Sequence, residues 1–226
     1  MEAQLKEPIR DEAVIAIHCP RSVGKSTVLR RFAVEHGVEV IDPDDLVVRD
    51  AVAANPTVSV SGEAPLCIDE YQHVPQVLDA FKARLNREGT RPGLAVLTGS
   101  TRQDAVPRTA QALTGRLHSL VILPFSQGEI GGVHENLVPA LLEDPEAAVN
   151  ARPTSALTRA DYAERIAAGG FSLALQRTGS ARNRWFDNYV RTSIDRDAME
   201  LARIGNGRLW LNCSSLQLAG QRRFST

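Results

Sequence analysis

The chain has 226 residues, 43% of them hydrophobic and 23% charged, with a formal net charge of −1. This is the composition of an ordinary globular protein, long enough for one large α/β domain or one domain with part of a second. A net charge so close to zero gives no global electrostatic pull toward nucleic acid, and no apolar run approaches the roughly 20 residues that span a bilayer. The cysteines Cys19, Cys67 and Cys213 are widely spaced and form no C-x-x-C pair. Such a set argues against a disulfide framework and for a reducing compartment. The opening residues, Met1-Glu-Ala-Gln-Leu-Lys-Glu, have no signal-peptide pattern, so the expected location is cytoplasmic, with no membrane contact.

In chain order, Val14 to His18 reads as a buried first strand, followed by Cys19-Pro-Arg-Ser-Val-Gly-Lys-Ser-Thr27. A helical pattern runs from Lys25 to Glu35, and His36-Gly37 ends it. Strand, tight loop and helix start are the context of a phosphate-binding P-loop, or Walker A motif. The candidate binding set is Pro20, Arg21, Ser22, Val23, Gly24, Lys25, Ser26 and Thr27. Backbone N–H groups at such a helix start converge on one concavity, where the helix dipole also favours an anion. Lys25 would reach the β- and γ-phosphates, and the Ser26 hydroxyl would ligate Mg²⁺. The pattern G-x-x-x-x-G-K-[ST] is matched except at its first position, where Cys19 replaces Gly.

Val38 to Asp42 is expected to form a short second strand, and Pro43-Asp-Asp-Leu to open a helix with Pro and acids in its first turn. Asn55-Pro56 ends that helix. Pro65 to Asp69 reads as a third strand with Asp69 and Glu70 at its carboxyl end. A helix from about Pro75 to Arg87 follows, with Val77, Leu78, Phe81 and Leu85 on one buried face. Leu94 to Leu97 is the fourth strand, ending in Thr98-Gly99-Ser100. A short helix around Ala110 to Leu113 leads through Thr114-Gly115-Arg116 into a fifth strand, Leu117 to Leu123. Strands separated by helical segments imply right-handed crossovers and a parallel sheet covered on both faces, an α/β fold. Ligands bind beyond the carboxyl ends of such strands. The P-loop, the Asp69-Glu70 pair and Thr98-Gly99-Ser100 all fall there.

Cys67-Ile-Asp-Glu-Tyr-Gln72, an apolar strand ending in Asp-Glu, is a Walker B signature. Asp69 would hold the metal, and Glu70 would orient and deprotonate an attacking water. The alternative is an acid pair that caps the next helix. A hydroxyl at the end of strand four, Thr98 or Ser100, is a candidate γ-phosphate sensor, or else part of a strand-end turn. Arg116 is either a finger for a neighbouring subunit's γ-phosphate or a surface ion-pair partner.

From Phe125 onward the chain reads as helical, with the best helices at Val138–Glu146, Asp161–Ala168 and Ala181–Ile204. Residues 125–175 carry seven acids and three Arg, a net of −4, and residues 176–226 carry nine Arg and four acids, a net of +5. This asymmetry is either a set of solvated helix faces or a contact surface for an acidic partner. Arg182-Asn-Arg-Trp185 could touch nucleic acid. The preferred reading packs Trp185 and Tyr189 against the neighbouring domain.

The series CPRSVGKST, LCIDEYQ, VLTGS and LTGRLHSLVILPFSQGEI, then AGGFSLAL and RNRWFDNYVRTSIDRDAMELARI, resembles the prokaryotic AAA+-type ATPases. Within them it is most similar to the group with an uncharacterised helical C-terminal domain. The likeness runs from about residue 12 to 204. It implies an AAA+-like P-loop NTPase, a three-layer sandwich with a parallel five-stranded sheet, followed by a partial helical domain. It also implies ATP and Mg²⁺ as cofactors and Arg116 as a γ-phosphate-sensing Arg. Gly169-Gly170-Phe171 and Trp185-Phe186-Asp187 would belong to the appended domain.

The resulting division is a P-loop ATPase domain at 1–125, the start of the helical domain at 126–204, and an irregular tail at 205–226. The resembled proteins continue past the point matching Ile204, and helical patterning stops at Gly205, so the tail is expected to be truncated or out of frame. Function is expected to be ATP binding with Mg²⁺-dependent hydrolysis, the catalytic set being Glu70, Arg116, Thr98 and Ser100 and the metal set Ser26 and Asp69. The alternative is a nucleotide-binding switch or inactive remnant, favoured by Cys19 and the shortened C-terminus. A small-molecule kinase is disfavoured, because no Arg-rich lid segment is evident. A homo-oligomer or a protein partner would engage the helical part, and nucleic acid is the weaker alternative.

Overall fold

Every residue of β1, Val14–His18, is buried, as a strand must be when neighbours flank it and helices cover both its faces. The computed structural model describes residues 5, 7–99, 113–133, 137–150 and 156–193. In the first unit, which ends at Ser126, the other strands are β2 (Val40–Ile41), β3 (Leu66–Ile68), β4 (Ala95–Gly99) and β5 (Leu117–Val121). They form one sheet in the order β2-β3-β4-β1-β5, with every pairing parallel. The two central strands β1 and β4 are buried throughout, whereas β2 and β5 at the edges are half-buried or exposed. β2 is shorter than its expected span and pairs with β3 alone.

A short α1 (Pro8–Asp11) precedes β1, and α2 (Lys25–His36) follows it, ending where the Gly37 N–H donates to the Ala33 and Val34 carbonyls. Then come α3 (Leu46–Ala54), α4 (Pro56–Ser59) and α5 (Val77–Glu88). Because strand side chains alternate between faces, the sheet contributes to two layers. Val14, Ile68, Ala95 and Leu97 join Val52, Val60, Val77, Leu78, Phe81 and Leu85 in one core. Ile15, Ile17, Cys67 and Val96 are buried on the other face. There α2, which supplies the buried Val28, Leu29, Phe32 and Ala33, lies against β4 and β2. The result is the three-layer α/β sandwich of a P-loop NTPase.

Local chemistry moved some boundaries. The helix expected from Pro43 begins at Leu46, because Asp45 is its N-cap and accepts the Val47 N–H at 2.8 Å. The Asp44 N–H is turned back onto Asp42 at 3.1 Å. An Asp accepts an orphan amide better as a cap than from inside the first turn. Asn55 ends α3 and caps α4 through Val58 N–H at 3.2 Å. The short helix expected before β5 lies outside the described residues apart from Leu113, which is fully buried.

The second unit begins at Gln127, and its regular elements among the described residues are helices. They are α6 (Gln127–Gly131), α7 (Leu137–Glu143), α8 (Pro145–Asn150), α9 (Arg159–Ala168), α10 (Ser172–Leu175) and α11 (Gly179–Thr192). The single helix expected over Val138–Glu146 is two, since Pro145 has no N–H to continue it and Asp144 caps the second through Ala147 N–H at 2.9 Å. The expected extension of α11 to Ile204 and the 205–226 tail lie outside the described residues beyond position 193. Trp185 and Tyr189, expected to face the neighbouring domain, have aromatic partners in their own unit. Phe171 lies 5.6 Å from Trp185 and 4.8 Å from Tyr189, and Trp185 stacks on Tyr189 at 5.2 Å. No helix among the described residues is long and apolar enough to cross a membrane.

Thr158 and Asp161 form a capping box at the start of α9. The Thr158 hydroxyl and then its backbone N–H, both donating to Asp161, hold that carboxyl below its usual value of 3.8. A depressed folded pKa contributes stability in full above the unfolded value, and the contribution is lost as pH falls through the folded one. Amide protection in the first turn of α9, taken relative to the intrinsic exchange rate at each pH, is therefore expected to fall on acidification below about pH 4. Thr158→Ala should remove that step, which exchange measured against pH would show.

Candidate functional site

Order in the sheet decides what can meet. The chain leaves β1 toward β2 on one side, and leaves β4 toward β5 on the other. Such a switch opens a crevice at the carboxyl edge of a parallel sheet. His18 ends β1 beside Gly99 of β4, and Ile68 of β3 pairs with Leu97. The Cys19–Thr27 loop, Asp69, Glu70 and Thr98 therefore share one edge.

Within the loop, Cys19 and Val23 are buried, Pro20 and Thr27 are exposed, and Arg21, Ser22, Gly24, Lys25 and Ser26 are half-buried. Gly24 is the N-cap of α2 with φ 108°, a conformation that a Cβ would strain. Ser22 is also left-handed, at φ 64°. Cys19 is not among the residues of positive φ, so a Cβ at that position costs no backbone strain. Its thiol is pushed up mainly by burial, against the lowering effect of the Lys25 charge, with Glu70 raising it further. Cys67, on the neighbouring β3, is pushed up to about 12 by burial. Both are free thiols.

Opposite the loop, Asp69 is 3% exposed. Its Oδ1 accepts the Thr98 hydroxyl and the Glu70 backbone N–H, the latter at 3.0 Å, and its own N–H donates to Ile41 at 2.9 Å. Thr98 is fully buried, so its hydroxyl is turned onto the carboxylate. Ser100 lies outside the described residues. Glu70 has a left-handed backbone, φ 41°, and its carboxylate pairs with the Lys25 ammonium; the two side chains are 15% and 12% exposed. An ion pair this sheltered is screened far less than a surface one.

Arg116 is placed elsewhere. It precedes Leu117, which pairs with Val14 at the amino end of β1, and its guanidinium donates to Asn86 at 2.6 Å. Five residues of strand, roughly 16 Å, separate it from the carboxyl edge. The fold does not bring Arg116 to the loop of its own chain.

Two residues here were given no role by sequence. Gln72 donates through Nε2 to the Glu70 carboxylate. Tyr71, fully buried, lies edge-on to His18 with ring centroids 6.3 Å apart. Both press on the end of β4, where a Cβ on Gly99 would stand 2.8 Å from Tyr71 and 2.9 Å from the Gln72 Oε1. Glycine at position 99 is thus a matter of room. The one signal in the sequence was a polar Gln closing an otherwise apolar and acidic motif.

Residues 11–131, more than half of the chain, match a family described as an AAA domain. The chain belongs to that family. The AAA domain match spans the P-loop, the Asp69-Glu70 strand end and β5, and stops at the end of α6. Among curated proteins, none matches the sequence. Among solved structures, AMPPCP-bound DnaA from Aquifex aeolicus is similar, with 12% identity and a TM-score of 0.44. The alignment covers 76% of this chain and 57% of that DnaA chain.

Proposed function

We propose that this AAA domain protein binds ATP and hydrolyses it with Mg²⁺, through a P-loop ATPase domain at 1–125 followed by the start of a helical domain. The observation that carries the reading is the meeting of Lys25, from the α2 start, with Glu70, from the β3 end. A cation at an anion-binding helix start and an acid within its reach are the parts that nucleoside triphosphate hydrolysis requires.

The donor set suits the metal. Among the described residues, no group of three or more His, Cys, Asp or Glu could hold an ion. Ser26 and Asp69 would give one hard oxygen each, as suits Mg²⁺ that takes its remaining ligands from phosphate and water. Bound there, the ion would neutralise charge on the phosphates. Thr98 would fix Asp69 for that task rather than touch phosphate, which leaves the sensor role to Ser100. Glu70 would orient and deprotonate the water. Arg116, at the far edge, would serve only a nucleotide held by a second copy, so a finger role calls for a homo-oligomer. The unpaired buried thiols accord with work in a reducing compartment, the cytoplasm.

Titration with a fluorescent ATP analogue tests the reading. Wild type should bind, and Lys25→Ala should lose binding by about tenfold or more, the worth of a charge-assisted contact. Equal affinity in the two proteins would remove Lys25 from the site. Cys19→Gly, in the same assay, should bind within about twofold of wild type, because no left-handed strain is present to relieve. A tenfold gain would show that Cys19 obstructs the cradle.

A further inference from the structure

We infer that Gln72 is a positioning residue that aims Glu70, an assignment resting on the ATPase reading above. The two oxygens of the Glu70 carboxylate are held by different groups. Oε1 faces the Lys25 ammonium, and Oε2 accepts the Gln72 carboxamide N–H. These two contacts respond differently to an incoming triphosphate. Phosphate oxygens compete for Lys25 with far more charge than one carboxylate, so the Oε1 contact is given up and that oxygen is freed to face water. Gln72 is neutral and lies on the side of its own motif, so the Oε2 contact is kept. A base must be held within hydrogen-bond reach of the proton it takes, and after Lys25 turns away Gln72 is the side chain that still fixes Glu70.

The carboxamide is itself well placed to hold direction. Gln72 sits in the 3₁₀ turn Tyr71–His73, of which Glu70 is the N-cap. Its Oε1 is packed over Gly99, too close for any Cβ there. With the oxygen against the β4 backbone, the amide nitrogen is directed at Glu70. Tyr71, fully buried, packs over the same face of Gly99 and fixes the turn. Glu70 is left-handed, and the side chain two positions later meets its carboxylate. The device thus runs from the end of β4 through Gln72 to Glu70.

The test measures ATP affinity and phosphate release on the full chain for wild type, Gln72→Met and Gln72→Glu. Met keeps length without a donor, and Glu keeps shape while replacing the donor with a like charge. Each variant should bind ATP no more than about twofold weaker than wild type. Each should release phosphate about tenfold or more slowly, the weight of a hydrogen bond to a charged group. A change in kcat without a matching loss of affinity is what a merely structural role would not produce. Gln72→Met turning over ATP at the wild-type rate overturns the inference and leaves the ATPase reading standing. Binding and turnover lost together, or failure of both variants to fold, assigns Gln72 to the scaffold and also overturns it. Wild type that neither binds nor hydrolyses ATP removes the ATPase reading itself, and this inference with it.

Discussion

A Glu70→Gln protein is expected to retain ATP and to turn it over about 10²–10⁴-fold more slowly than wild type, the weight of a positioned general base. The substitution is isosteric, so the turn after β3 and the contact with Gln72 keep their shape. What it removes is the negative charge that faces Lys25 in a sheltered pair. Losing one partner of such a pair leaves a cation short of its counter-charge, and a triphosphate supplies one. Binding should therefore be equal or tighter while the proton-accepting group is gone. Single-turnover phosphate release beside equilibrium binding separates the two effects. Release at the wild-type rate would show that Glu70 is not the base and would move the search to other acids at the carboxyl edge.

The largest expected effect on stability is at Phe81, whose ring is fully buried in the core between α5 and the sheet. Phe81→Ala should destabilise the first unit by about 3–5 kcal/mol, combining lost transfer free energy with the cavity left behind. Against a total of about 5–15 kcal/mol for a domain, that is a large fraction. Urea denaturation should show a lower midpoint with little change in slope. A loss below about 1 kcal/mol would mean that α5 can collapse into the space. Because the core lies on the face of the sheet away from α2, nucleotide affinity of the folded fraction should be unchanged.

Much of the site was legible because it is written in strand ends. Val14–His18 was read to the residue, and placing Asp69, Glu70 and Thr98 at one edge needed only a parallel sheet. The place of Arg116 at the opposite edge was legible too, since a residue just before a parallel strand lies at the other end from one just after it. Pro145 likewise advertised the break between α7 and α8. Other features were hidden. Nothing in Asp-Glu-Tyr-Gln states that Glu70 adopts φ 41°, an uncommon conformation for such a residue, or that Gln72 meets its carboxylate. The choice of Asp45 over Asp44 as the cap of α3 depends on where the buried Pro43 turns the chain. The aromatic group around Phe171 depends on a tertiary return of α11 that helical periodicity cannot encode.

Ser22 is left-handed at φ 64° in the loop itself, next to the buried Val23 that anchors it. Holding a non-glycine residue there costs about 1–3 kcal/mol, and the surrounding fold supplies it before any ligand arrives. The organising work of the proposed anion cradle is thus charged to folding rather than to association. A ligand that meets donors already in place has less ordering entropy to overcome, and once bound it returns stability to the folded state by mass action. Affinity and thermal resistance are for that reason coupled at position 22. Loosening the loop with Ser22→Gly would make the empty protein sturdier and the filled one harder to form.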